Sequence, residues 1–270
     1  MGRGGREHMR ILITNDDGIN ARGLEVLKAI ALGLSPDVWT VAPETNQSGT
    51  SHSMTLHEPL RLRQLDARTF AVAGTPTDCV IMAVRHILME QPPDLVLSGV
   101  NHGSNLAEDT TYSGTVAAAM EGTLLGIRSI AMSLMMGFED GERRAIWDTP
   151  LAHAPQLITR LLDTEWQAGT LININFPDVV PADVAGIAVT SQGIRDQALL
   201  HIDSRSDPWG TPYFWFGFER RKSTLVAGTD LAAVAAKKIS VTPLSVDLTD
   251  AKAVATLSAH LDATAKKPKA

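Results

Sequence analysis

Short apolar runs rich in β-branched residues alternate along the chain with stretches whose apolar positions recur every three or four residues. Residues 10–14 (RILIT) predict a strand, residues 23–34 (GLEVLKAIALGL) a helix, and residues 37–43 (DVWTVAP) a second strand. After a polar loop, residues 60–74 read as a hairpin turning at Asp66-Ala67. A helix over 77–90 capped by Thr77, a strand over 94–99, a helix over 113–126 starting near Ser113 and a strand over 129–134 follow. A helix at about 145–163 and a strand at 171–177 continue the series. Near-continuous apolar strands separated by helices predict an α/β fold, a three-layer Rossmann-like core whose mostly parallel sheet is covered on both faces.

The pattern changes in the last third. GIAVTSQG (186–193) and TPYFWFGF (211–218), with their turn residues, read as antiparallel β, and residues 248–264 as a terminal helix. A boundary is expected near residue 185, separating a core at 9–185 from a β-rich and helical extension at 186–270. Residues 1–8 show no apolar period and read as an expression tag before a natural start at Met9. The basic KKPKA end reads as a solvated tail.

Composition narrows the partners. The chain has 270 residues, of which 44% are hydrophobic, enough for a full core. A net charge of −6 with no basic stripe speaks against long nucleic acid, while leaving room for a small phosphorylated molecule. Cys79 is the single cysteine, which rules out an intrachain disulfide and a cysteine-rich zinc site, and it reads as a small buried hydrophobe. With no bilayer-length apolar run and no signal-peptide core, the expectation is a soluble cytoplasmic protein without a membrane partner.

Candidate chemistry lies where the strands end. In open α/β sheets ligands bind beyond the carboxyl ends of the strands, and the first strand runs straight into Asn15-Asp16-Asp17-Gly18. No G-x-G-x-x-G follows it, and no G-x-x-x-x-G-K-[ST] occurs, so dinucleotide and P-loop binding are disfavoured. Adjacent acids at a partly buried turn repel unless a cation or strong donors offset them, which points to a hard divalent metal with oxygen ligands. Taken alone, NDDG fits equally well a turn followed by a capped helix. PETNQSGTSHS (43–53) and SGVNHGSN (98–105) place neutral oxygens and glycines after two further strands, which favours a shared site suited to Mg2+ or Mn2+. Ser113, Gly114 and Thr115 open an Ala-rich helix. That amino end fits a phosphate, and fits equally an ordinary cap with close packing.

Together, ILITNDDGINARGLEVL, VAPETNQSGTSHSMT, AVAGTPTDCV, SGVNHGSNL and YSGTVAAAMEG resemble the SurE (survival protein E) family of metal-dependent nucleotide phosphatases. These motifs run in order from about residue 10 to 134, and NINFP, AGTD and ISVTPL extend the likeness to about residue 244. The resemblance implies one divalent ion per subunit, Mg2+ or Mn2+, held by Asp16, Asp17, Ser48 and Asn101. It implies Asn15 and Asn46 lining the site, with Asn46 on the substrate phosphate, and Ser113, Gly114 and Thr115 helping to hold that phosphate. It also implies a homodimer or homotetramer whose carboxyl-terminal parts exchange elements. DPWG (207–210) and AAKKIS (235–240) depart from the family pattern outside the metal site, which leaves substrate contacts and assembly in that half open.

The reaction the resemblance implies is hydrolysis of nucleoside 5′-monophosphates, with 3′-nucleotides and short polyphosphate as further candidate substrates; the residues themselves do not set the base or the 5′ versus 3′ preference. Water attacks phosphorus in line, and Asp16 or Asp17 orients it. A direct aspartyl nucleophile competes with this reading; Asp-x-Asp phosphatases use one, whereas here the acids are adjacent. His102, beside Asn101, is an outside candidate for the acid; His52 and His57 flank the second loop and hairpin, and His57, His86, His153, His201 and His260 read as non-catalytic. The aromatic run at 209–218 reads as packing in a β-arm before it reads as a base-stacking surface. A non-catalytic nucleotide or phosphate sensor on the same fold is the alternative function. A nucleotide-dependent transferase is weaker still, because the glycine fingerprint is missing.

Overall fold

The computed structural model describes residues 7–195, 198–220 and 225–265. The basic tail and most of the expected tag lie outside them. In chain order the elements are β1 (Arg10–Thr14), α1 (Arg22–Leu32), β2 (Asp37–Pro43), β3 (Leu62–Asp66), β4 (Thr69–Val72), α2 (Pro76–Met82), β5 (Leu95–His102), α3 (Asp109–Tyr112), α4 (Gly114–Leu124), β6 (Arg128–Leu134), β7 (Gly137–Glu139), β8 (Glu142–Arg144), α5 (Asp148–Leu162), β9 (Thr170–Phe176), β10 (Ile187–Val189), β11 (Ala198–Ser206), β12 (Pro212–Arg220), α6 (Asp230–Ala235), β13 (Ile239–Ser245) and α7 (Ala251–Ala265). Nine strands form one sheet in the order β10-β13-β9-β6-β5-β1-β2-β4-β3.

Six neighbouring strands, from β9 through β4, are mutually parallel, and both sheet faces are buried. Side chains alternate across such a strand. Along β1, Ile11 and Ile13 therefore join a core with Leu24, Leu27 and Ile30 of α1 and Leu157 and Ile158 of α5. Leu12 points into a second core with Val80 of α2 and Ala118 of α4. Helices on both faces complete the three layers, so the α/β expectation holds.

The topology also decides where a ligand can sit. From β1 the chain moves outward through β2 to β4, then returns to place β5 on the other side of β1 and continues through β6 to β9. The order therefore reverses between β1 and β5, and the crevice beyond their carboxyl ends is the switch point at which open α/β sheets bind ligands.

Four local expectations need correction. The hairpin turns at Ala67-Arg68 rather than Asp66-Ala67, with a bulge between Gln64 and Asp66. Thr75, not Thr77, caps α2: its hydroxyl accepts from Asp78 N while the Asp78 carboxylate accepts from Thr75 N, and Pro76 sits at the first helical position, where no N–H is needed. The expected single helix changes at Ala83–Ile87 to a π-helical turn. Finally, the 186–193 stretch gives a strand, β10, that lies parallel rather than antiparallel to its neighbour β13. The connection between them includes helix α6, and a helical crossover delivers a parallel strand.

Beyond residue 185 the chain still serves the main sheet, because β13 pairs antiparallel with β9. The β11–β12 hairpin forms a separate two-stranded sheet. Its DPWG turn carries Trp209, 87% exposed, and Phe214, Trp215 and Phe216 are also exposed. On α7, Val254 and Leu257 face solvent.

Candidate active site

The site is built on four segments. Leaving β1, the chain turns through Asn15-Asp16-Asp17-Gly18, with Gly18 at φ +104°. That conformation favours glycine. A Cβ there would also press on the backbone of Thr45 and Asn46, at 3.2 and 3.4 Å. The acidic turn and the loop after β2 are thus in direct backbone contact, and Gln47 N donates to Asp16 O at 2.7 Å.

Asp16 is 4% exposed, and its Oδ1 accepts a 2.6 Å hydrogen bond from the hydroxyl of Thr115, itself fully buried at the start of α4. Burial pushes the Asp16 carboxyl up from its ordinary 3.8 to about 6; the Thr115 hydrogen bond opposes that rise and the neighbouring Asp17 charge adds to it. Gly114 makes the approach possible, because a Cβ there would lie 2.8 Å from Asp16 Cβ and 3.2 Å from its Oδ2. Asp17 is half-buried. Its Oδ2 accepts from His102 N at 3.2 Å and its Oδ1 weakly from Asn46 Nδ2 at 3.5 Å.

The other predicted residues take distinct places. Asn46 and Ser48 are exposed on the loop after β2, where Ser48 N donates to Asn46 Oδ1 at 2.9 Å. Asn101, near the end of β5, donates its amide to Gly103 O at 2.9 Å. Asn15 is 1% exposed and donates to Gly18 O, which closes the turn. Ser113 caps α4 by accepting from Val116 N at 3.1 Å. The His102 ring stacks on Trp147 with centroids 5.9 Å apart. Cys79 is buried, and burial followed by the Asp78 charge pushes its thiol well above the ordinary value, as a packing residue requires.

Do these residues fit a divalent cation? Among the described residues no group of three or more His, Cys, Asp or Glu comes together. Two carboxylates lie at the switch point, with Ser48 and Asn101 on the two segments that contact them through Asn46 and His102, and all four side chains carry oxygen, the donor type hard cations take. Asn15 Oδ1, buried beside them, accepts no hydrogen bond from the protein and is an acceptor left over at the rim. The residues present therefore fit Mg2+ or Mn2+.

Sequence reading missed two features around this site. Glu121, an acid within the apolar, Ala-rich α4, pairs with His52 of the loop after β2 at 2.9 Å; its isolation among small residues was the available signal. Asn105 fastens the segment after β5 by accepting from Asn173 and Asn175 of β9 through its carbonyl and by donating to Ser133 of β6.

The description "Survival protein SurE" belongs to the family model that matches residues 11–198. The chain belongs to the SurE family. The 5'-nucleotidase SurE of Methylobacterium radiotolerans is 59% identical over 243 residues, covering 90% of this chain and 95% of that one. Its namesake from Parvibaculum lavamentivorans is 55% identical over 258 residues, covering 96% and 93%. The crystal structure of the SurE protein from Aquifex aeolicus superposes with a TM-score of 0.80 at 39% identity, covering 94% of this chain and 99% of that chain. SurE membership agrees with the fold, because the matched span runs from β1 into the extension and includes the whole switch point.

Proposed function

We propose that this SurE chain is a divalent-metal-dependent 5′-nucleotidase that hydrolyses nucleoside monophosphates, with 3′-nucleotides and short polyphosphate as further substrates. The observation that supports this best is the meeting of Asp16, Asp17 and Thr115 at the reversal between β1 and β5. The 5'-nucleotidase name of relatives nearly 60% identical supports it independently.

On this reading Asp16, Asp17, Ser48 and Asn101 hold one Mg2+ or Mn2+. When bound, the cation neutralises phosphoryl charge and lowers the pKa of the attacking water. Asn46 contacts the substrate phosphate, Asn15 lines the site, and Ser113 sets the start of α4 so that the N–H groups of Gly114 and Thr115 receive phosphate oxygens. Asp17, the more exposed acid, orients the water opposite the ester oxygen, and Asp16 is the ligand that Thr115 fixes. The new P–O bond forms as the ester P–O bond breaks, and the leaving alkoxide takes up a proton. Residues 9–185 carry this chemistry in our reading. The exposed aromatics of β11–β12 and the apolar face of α7 serve a homodimer or homotetramer, in keeping with 186–270 as the assembly part. Among the described residues no helix is long and apolar enough to cross a membrane, and we place the enzyme in the cytoplasm.

Phosphate release from a panel of 5′- and 3′-nucleoside monophosphates, with Mg2+, Mn2+ or chelator, tests the proposal. The wild type is expected to release phosphate in a chelator-sensitive way and Asp17→Asn to abolish it. A folded wild type inert with every metal would overturn the phosphatase and leave a nucleotide sensor.

A further inference from the structure

The segment joining β2 to β3 spans residues 44–61 without a helix or strand, yet it carries Asn46 and Ser48. Gly49 (φ +80°) and Ser51 (φ +54°) both occupy the left-handed region. For Ser51, unlike glycine, that conformation is strained and persists only when surrounding contacts impose it. Those contacts are specific. Gln47 N reaches Asp16 O near the start of the loop. Toward its end, Thr55 donates to Asp78 through both its N–H (3.0 Å) and its hydroxyl (2.6 Å), and Ser53 O accepts from Thr75. Between these anchors, Ser51 donates to Thr111 O at 2.7 Å and His52 meets Glu121 at 2.9 Å.

The last contact is the unusual one. Glu121 is only 9% exposed and stands on a helix otherwise rich in small apolar residues. Burying a carboxylate without a donor is expensive. A carboxylate offers only lone pairs, so the His52 Nε2–H is the donor. The His52 side chain is 29% exposed, which leaves the loop's hold on α4 within reach of solvent competition. Thr115, which grips Asp16, lies on the same helix, so the pair ties the loop bearing the neutral oxygens to the element that holds the buried acid.

We propose that His52 and Glu121 form a positioning pair that docks the 44–61 loop on α4 and thereby sets the affinity of the site for its cation and nucleotide. Neither residue is among the proposed cation ligands or phosphate contacts. The inference rests on the nucleotidase reading for the roles of Asn46 and Ser48, and on the structure alone for the tether. If the docked loop is the binding-competent state, freeing it multiplies the affinity by the fraction that remains docked, so the dissociation constant rises.

The full-length protein is tested with Mn2+ as the probe, by calorimetry, by amide hydrogen exchange over 46–53, and by steady-state kinetics on a nucleoside 5′-monophosphate. His52→Ala is expected to speed exchange in the loop and to raise both the Mn2+ dissociation constant and KM roughly tenfold. Its kcat at saturation is expected to stay within about twofold. His52→Gln retains an N–H donor and is expected to recover most of the lost affinity. Three results would overturn the proposal: unchanged exchange and Mn2+ affinity in His52→Ala, equal losses in the Gln and Ala variants, or a fall confined to kcat. A wild type that binds Mn2+ but releases no phosphate would instead sink the nucleotidase reading, while exchange and Mn2+ binding still decide the tether.

Discussion

The hydroxyl of Thr115 donates a 2.6 Å hydrogen bond to Oδ1 of Asp16, joining the start of α4 to the end of β1 across 99 positions of sequence. Both groups are buried, so little water competes for either. Hydrogen bonds to charged groups contribute about 1.5–3 kcal/mol, and this one favours the ionised carboxylate that a cation needs. Thr115→Val keeps the shape and deletes the donor. Mn2+ affinity at pH 7 is expected to fall roughly tenfold to a hundredfold, phosphate release to fall with it, and the acid limb of the pH–rate profile to move upward. Thr115→Ser, with its hydroxyl, is the control; equal losses in both variants would show that packing and not the hydrogen bond matters.

The raised pKa of Asp16 makes a prediction about the metal-free protein. Its carboxyl holds a proton more tightly folded, at about 6, than at the ordinary 3.8 expected of the unfolded chain. The folded state therefore binds more protons between those values, and this residue's contribution to stability falls as pH rises through that window. The full difference is on the order of 3 kcal/mol. With chelator present, Asp16→Asn is expected to lose less stability than the wild type between pH 4 and pH 7 in urea unfolding. Identical pH slopes would refute the assignment. Because protons and cation compete for one carboxylate, wild-type Mn2+ affinity is also expected to weaken progressively below about pH 6.

Gly114 tests how closely helix α4 must approach the acids. A Cβ at this position would lie 2.8 Å from Asp16 Cβ and 3.2 Å from Pro76 Cγ. Neither neighbour is the free end of a flexible chain. Gly114→Ala must therefore push α4 or the acidic turn aside, at about 1–3 kcal/mol for overpacking. Phosphate release is expected to drop more than tenfold, because misplacement by an ångström costs about two orders of magnitude in rate. A variant as active as the wild type would show that Asp16 need not sit where it does.

What the sequence could disclose was local. Strand ends and the paired acids are legible because apolar runs and turn residues act within a few positions of one another, and the neutral loops after β2 and β5 follow from the same pattern. Partners that meet only on folding are not legible: Thr115 and Asp16 are 99 positions apart, and His52 and Glu121 are 69. Strand direction was hidden for a different reason. The β10 stretch alternates alike in a parallel or an antiparallel pair, and only the crossover through α6 decides. The α2 cap, by contrast, was there to read, since Pro76 marks the first helical position and so makes Thr75 the cap.

The GTD motif at 228–230 shows how the extension supports the site from a distance. Thr229 caps α6 by accepting from Ala232 N, and Asp230, 0% exposed, enters that helix with its carboxylate turned to three backbone donors. They are Ala107 N and Gly193 N, each at 2.8 Å, and Leu231 N at 2.7 Å. One of these lies in the segment that follows Asn101, so a residue in the last fifth of the chain holds the backbone leading away from a proposed cation ligand. Asp230→Ala strands buried N–H groups, each worth about 1–3 kcal/mol, and a loss of roughly 3 kcal/mol or more is expected in urea unfolding. Amide exchange is expected to rise at residues 105–109 and 193 while the 46–53 loop keeps its protection. Exchange that rises evenly over the whole sheet would mean that Asp230 contributes only to global stability and does not hold the β5 segment in particular.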